Sequence, residues 1–186
     1  MLTTGFQFLR DLSPLAATTI DDLGLQLVSS ELATLAGTGI RRLTIRDPRI
    51  GGEAGLGALP ADLPLRDLVV DNLPRSRNLL GVERWPSLAR VACRGVPRAE
   101  ELDALALLPA LDHLVITSPE VPDPSDPPGD SGWPEALAAF PALRRVDLDD
   151  VAAPASPAWS AVAAVLVAAG IEVRVDGRPP PRLIVD

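Results

Sequence analysis

The sequence predicts an α/β solenoid: a curved parallel β-sheet backed by helices and Pro-rich turns, built from about six to seven similar coils of chain. Three observations predict it. A short frame, apolar-x-x-apolar-x-apolar, returns along most of the chain at intervals of 20 to 32 residues. Segments between the copies carry helical spacing and helix-end signals. The 186 residues are 47% hydrophobic, enough to bury one substantial core, so residues 1–186 are expected to form a single domain.

The copies begin at Ile20 (IDDLGL), Ile40 (IRRLTI), Leu65 (LRDLVV), Leu88 (LARVAC), Leu111 (LDHLVI) and Leu143 (LRRVDL), with a degenerate copy at Ile171 (IEVRVD) and a partial one at GFQF, through Phe6 and Phe8. In each, the fourth and sixth positions are apolar and two residues apart, so on a strand both point to one face. These pairs are Leu23/Leu25, Leu43/Ile45, Leu68/Val70, Val91/Cys93, Leu114/Ile116 and Val146/Leu148. The sole cysteine, Cys93, falls in this set, so it reads as a small core residue and not a reactive thiol.

Helices are expected between the later copies. RAEELDALALLPA places Leu102, Leu105 and Leu108 three residues apart, with Glu100 and Glu101 in the first turn, where the helix dipole favours acids. SPAWSAVAAVLVAAG offers Ser156 as N-cap, Pro157 at the first helical position and Gly170 as the stop. A second recurring element, RWPSL, LLPAL and AFPAL, puts Trp85, Leu108 and Phe140 in one equivalent place, with Pro86, Pro109 and Pro141 next. Trp85 is therefore expected to plug the core on the convex side. No single strand-and-connector unit can bury its own apolar face, whereas stacked units can.

Fixed-period copies of this frame resemble the leucine-rich repeat family along nearly the whole chain. One departure stands out. The ninth position, where the family's usual Asn or Cys bonds neighbouring loop backbone, holds Pro48, Leu73, Val96, Pro119 and Val151, so the loop backbone must be satisfied some other way. The phrases VERWPSLARVACRGVPR and LALLPALDHLVI also resemble the C-terminal repeat regions of actinobacterial NACHT-type NTPases. That resemblance implies a ligand-sensing role.

In such a fold the remaining strand positions line the concave face. Down the stack, the third position reads Asp22, Arg42, Asp67, Arg90, His113, Arg145, and the seventh reads Gln26, Arg46, Asp71, Arg94, Thr117, Asp149. The signs nearly alternate, and opposite charges across neighbouring strands attract. The candidate binding residues are Arg42, Arg46, Asp67, Asp71, Arg90, Arg94, His113, Arg145 and Asp147. They either pair only with one another or also meet a protein or peptide. Residues 119–134 break the period with an acidic, Pro-rich loop whose Trp133 is a candidate partner anchor. The tail, 177–186, is expected to cover the last strand or to add to a partner's sheet.

Several function classes are excluded or disfavoured. A formal net charge of -8 argues against nucleic acid and anionic membrane surfaces. The longest nearly apolar run, residues 158–170, falls short of the about 20 residues that a spanning helix needs. The first residues lack the basic-then-apolar pattern of a secretory signal, so a cytoplasmic location is expected. There is no Lys, hence no phosphate-loop GxxxxGK[ST], and no GxSxG; GGEAGLG, residues 51–57, reads as a connector. One His and one Cys supply no metal spacing, so no catalytic residue, cofactor or metal is expected. The all-Arg, Ala- and Pro-heavy composition points to a GC-rich bacterial genome. The expected function is a non-enzymatic protein-interaction or ligand-sensing module, with a scaffold or accessory subunit of an enzyme encoded elsewhere as the alternative. The chain starts within a repeat with no polar cap, which predicts self-association through the N-terminal edge.

Overall fold

Seven strands hydrogen-bond in chain order into one parallel sheet: β1 (Asp22–Gln26), β2 (Arg42–Arg46), β3 (Asp67–Val70), β4 (Arg90–Arg94), β5 (His113–Thr117), β6 (Arg145–Asp149) and β7 (Glu172–Val175). The computed structural model describes residues 21–26, 32–46, 55–71, 79–119, 132–151 and 157–179. The partial copy at Phe6 and Phe8, the predicted N-terminal self-association edge, Ser156, most of the acidic loop and the end of the tail lie outside them.

The register aligns the copies. Asp22 faces Arg42, Arg42 faces Asp67, Asp67 faces Arg90, Arg90 faces His113 and His113 faces Arg145. The last copy departs from expectation by one residue. Glu172 faces Arg145 and Val173 faces Val146, so Val173 and Val175 take the fourth and sixth places and the frame begins at Gly170 rather than Ile171. Burial decides this register, because a one-residue slip would turn both valines out of the core.

The fourth- and sixth-position side chains from Leu43 through Leu148 are all buried and form one core with the layer behind the sheet. That layer changes character along the chain. Behind the first strands lie short 3₁₀ turns, Leu32–Leu35, Gly55–Ala58 and Val82–Arg84. The second of these overlaps the end of the GGEAGLG connector. Behind the later strands lie α1 (Ala99–Ala106), α2 (Trp133–Ala138) and α3 (Pro157–Ala168). Leu102, Leu105 and Leu108 are buried as their spacing predicts, and so are Trp85 and Phe140 in the place equivalent to Leu108. Trp85 is 1% exposed, and its indole N–H donates to the Pro60 carbonyl at 2.9 Å. This satisfies the one polar atom of the plug.

Both helix ends are explained by local chemistry. At α1 the Glu101 carboxylate is buried and reaches back to accept the Arg98 N–H at 2.9 Å, and it accepts the Leu79 N–H of the preceding coil at 3.1 Å. One acid thus satisfies two donors and ties neighbouring coils. α3 starts at Pro157. It ends with the Ile171 N–H on the Leu166 carbonyl and the Gly170 N–H on that of Val167, with Gly170 at φ 80°. This is a Schellman stop, which a left-handed glycine permits.

With no Asn or Cys at the ninth position, backbone bonds hold the strand exits, and at Val151 the N–H donates to the Asp176 carboxylate at 3.3 Å. Where the chain leaves the strands, the Asp71 N–H donates to Ile45, Gly95 to Thr117, Ser118 to Asp149 and Asp176 to Leu148, all at 2.7–2.9 Å. The eighth position makes this turn. Gly95, Ser118, Asp150 and Gly177 all have positive φ, between 52° and 76°. Glycine enters that region freely and short polar residues tolerate it. Asp150 therefore lies beyond β6, in the turn.

Candidate interaction surface

The third, fifth and seventh positions of each copy sit on the open face of the sheet, opposite the helices, as three files of side chains in register. In the first file, Arg42 bonds Asp22 at 3.1 Å and approaches Asp67 at 3.4 Å, and Arg90 Nη1 donates to Asp67 at 2.8 Å. In the third file, Asp71 lies between two cations, Arg46 at 3.6 Å and Arg94 at 3.9 Å. The predicted charge ladder therefore exists over β1 to β4, and every candidate residue named on those strands belongs to it.

The middle file is less periodic and was largely missed by sequence reasoning, which named only Asp147 from it. In register it runs Gly24, Thr44, Val69, Ala92, Val115, Asp147, Arg174. Ala92 and Val115 are buried on this face by the long side chains flanking them. A shallow depression of about 130 Å³ opens beside Val69 and Ala92, rimmed by Asp71, Arg94 and Thr117. The signal was present in the sequence: an alternating strand whose fifth position is apolar is apolar on both faces there.

At β5 and β6 the ladder gives way to a tighter cluster. His113 was expected to stand between Arg90 and Arg145, and it does, but its partner comes from the middle file. Nε2 meets Asp147 Oδ2 at 3.0 Å, and Arg145 donates Nε–H to Oδ1 at 2.8 Å and Nη2–H to Oδ2 at 2.7 Å. An ionised carboxylate only accepts, so the shared proton sits on Nε2. Asp147 is 9% exposed. Burial pushes its carboxyl up, but the hydrogen bonds from Arg145 and His113 outweigh it and hold the carboxyl below its ordinary range. Its neighbour Asp149 is shifted the other way, raised by burial and then by the charges of Asp147 and Asp176.

Two candidates outside the ladder resolve differently. Cys93 is buried, and burial, with the Glu101 charge, pushes its thiol up to about 12, which removes thiolate character at neutral pH. Trp133 is not a loop anchor. It is the first residue of α2, 4% exposed and part of the core. The loop therefore ends before residue 133. A large apolar ring next to Pro134 and Leu137 loses more by staying in water than by starting a helix. At the other end, Arg178 pairs back antiparallel to Val175 with bonds of 2.7 and 2.9 Å, so the tail begins by folding onto the last strand.

Among the described residues no group of three or more His, Cys, Asp or Glu could hold a metal ion, and no helix is long and apolar enough to cross a membrane. Set against known proteins, the chain matches no family model, no curated protein and no solved structure.

Proposed function

We propose that this chain is a non-enzymatic interaction module of the leucine-rich repeat type, which binds a protein or peptide across the open face of its sheet. The observation that carries the reading is the arrangement of that face: charged files on either side of a middle file that is apolar from Val69 to Val115. Seven parallel strands on one core form a firm platform for it. Exposed ion pairs contribute only about 0.2–1 kcal/mol each, so the flanking charges can re-pair with a partner at little cost. The apolar area still open to a partner lies at Val69 and the depression beside it, since Ala92 and Val115 are already covered. The likeness to repeat regions of NACHT-type NTPases supports a sensing role for the same face.

The test compares wild type with a variant carrying Arg42→Glu, Arg90→Glu and Arg94→Glu as bait in lysate of the source organism, after circular dichroism shows matching folds. The expected result is a partner captured by wild type and lost by the variant. A partner held equally by both would overturn the open-face reading and move recognition to another surface.

A further inference from the structure

We infer that the open face takes a peptide segment in which an apolar side chain lies next to a carboxylate, the apolar side chain entering the depression above Ala92 and the carboxylate meeting Arg94. This deepens the interaction reading above and rests on it.

The shape argument comes from the middle file. Ala92 stands between Val69 and Val115 on adjacent strands. Its short side chain lies beside Val69 in the lining of the depression, which extends toward Asp71, Arg94 and Thr117 at the strand ends and has a volume of about 130 Å³. That is close to the roughly 150 Å³ of a cavity that holds benzene, so one Leu- or Ile-sized side chain fits. Val69, Val70, Ala92 and Cys93 line it, with Asp71, Arg94 and Thr117 at the rim, a mix of apolar and polar residues that suits one anchored side chain.

The charge argument comes from the third file. Arg46 and Arg94 share one carboxylate, Asp71, at 3.6 and 3.9 Å, beyond hydrogen-bond reach in both cases. The next residue in register after Arg94 is Thr117, which is neutral, and only after it comes Asp149. The alternation of signs is therefore broken on the Thr117 side of Arg94, beside the depression. From Arg46 to Thr117 the file carries two guanidiniums and one carboxylate, and Asp149 follows one strand further on. In the first file, by contrast, Arg90 is already engaged by Asp67 at 2.8 Å. The Arg94 side chain is 47% exposed and free to turn toward a ligand. A ligand carboxylate there takes the place of the weakly held Asp71 as a partner for Arg94, and Thr117 lines the same depression. The net charge of -8 does not prevent this, because charges beyond about 8 Å are screened at physiological salt and the contact at Arg94 is local.

The test is an NMR titration of uniformly ¹⁵N-labelled protein with acetyl-Asp-Leu-Glu-amide, following the backbone amides of Ala92, Arg94 and Thr117. Two control peptides accompany it: acetyl-Asn-Leu-Gln-amide, without carboxylates, and acetyl-Asp-Ala-Glu-amide, without the large apolar group. Shifts at those three amides with a dissociation constant on the order of 1 mM are expected, with each control about fivefold weaker or more. Ala92→Leu, which fills the depression, and Arg94→Glu, which reverses the rim, should each weaken the first peptide by a similar factor. Arg94→Glu should in turn favour acetyl-Arg-Leu-Arg-amide. Equal binding of acidic and neutral peptides, unchanged binding by Ala92→Leu, or no shift at these amides would each overturn the inference. A lysate partner lost by the triple arginine variant but kept by Ala92→Leu would overturn this inference while leaving the interaction reading in place. A partner kept by the triple variant would remove that reading itself.

Discussion

The coils joining β3 to β4 and β4 to β5 have the same length, with frames starting at Leu65, Leu88 and Leu111, yet they fold differently. The first crosses the back of the sheet with the 3₁₀ turn Val82–Arg84, and the second with the eight-residue helix α1. Interval length therefore does not choose the back layer; residue chemistry does. The first connector carries Pro74 and enters its turn through Gly81 at φ 92°, both poor in a helix interior. The second has an unbroken run of helix formers from Ala99 to Leu107. The open face differs between the same two halves. Over β1 to β4 its charges sit in outer files and pair across strands with considerable exposure. Over β5 and β6 they converge on a single buried carboxylate, Asp147. One strand frame supports two kinds of back layer and two kinds of face because the fourth and sixth positions alone hold the core.

The largest expected effect compares one buried tryptophan from each half, Trp85 and Trp133, of the three in the chain. Trp85→Ala in the first half and Trp133→Ala in the second should each lower the unfolding free energy by about 3–5 kcal/mol in urea titrations, since both rings are buried. A loss below about 1 kcal/mol for Trp133→Ala would put the ring back on a loop and undo the assignment of α2 to the core.

Next comes the contrast between the two kinds of charge. Asp147→Asn should cost about 2 kcal/mol, because three charge-assisted bonds converge on a carboxylate that is 9% exposed. Asp67→Asn, where a partly exposed carboxylate meets Arg42 and Arg90, should cost about 1 kcal/mol. The pH dependence follows from direction. The Asp147 carboxyl is lowered in the folded state, so its contribution is present above the unfolded value near 4 and is lost as pH falls through the folded one. Wild type should therefore lose stability in acid more steeply than Asp147→Asn. Equal acid slopes would show that the cluster adds nothing beyond an ordinary surface pair.

A smaller effect tests the strand exit that all described copies share. Gly95→Ala should cost about 1–2 kcal/mol, because φ 76° is strained for an alanine, which lacks the local hydrogen bonds a short polar side chain can make there. The smallest effect has the opposite sign. Asp149 is raised by burial and by the charges of Asp147 and Asp176, so its ionised form works against folding above that raised value. Asp149→Asn should shift the urea midpoint slightly upward at pH 7, and the gain should disappear below about pH 4. A downward shift at pH 7 would mean that the carboxylate makes a favourable contact that outweighs the repulsion.

Much of this was legible in the chain itself, because it depends on neighbours close in sequence. Apolar residues two apart mark a strand's inner face, and their return in phase stacks Leu43, Leu68, Val91, Leu114 and Val146 in one line. Three-residue spacing of leucines and Pro157 at its first position marked α1 and α3. The degenerate last copy misled by one residue, since IEVRVD admits two frames and only packing of Val173 and Val175 chooses between them.

Composition and periodicity by themselves determined a parallel α/β stack, a buried Cys93 and a Trp85 plug, for the physical reason that solvent exclusion acts on every copy alike. Only the tertiary structure decided what depends on one residue's surroundings. It buried Trp133, gave His113 a partner 34 residues away in Asp147, and left a depression beside Val69 and Ala92. Such contacts join side chains far apart in the sequence, and their chemistry is decided by local burial and charge that no repeat pattern encodes.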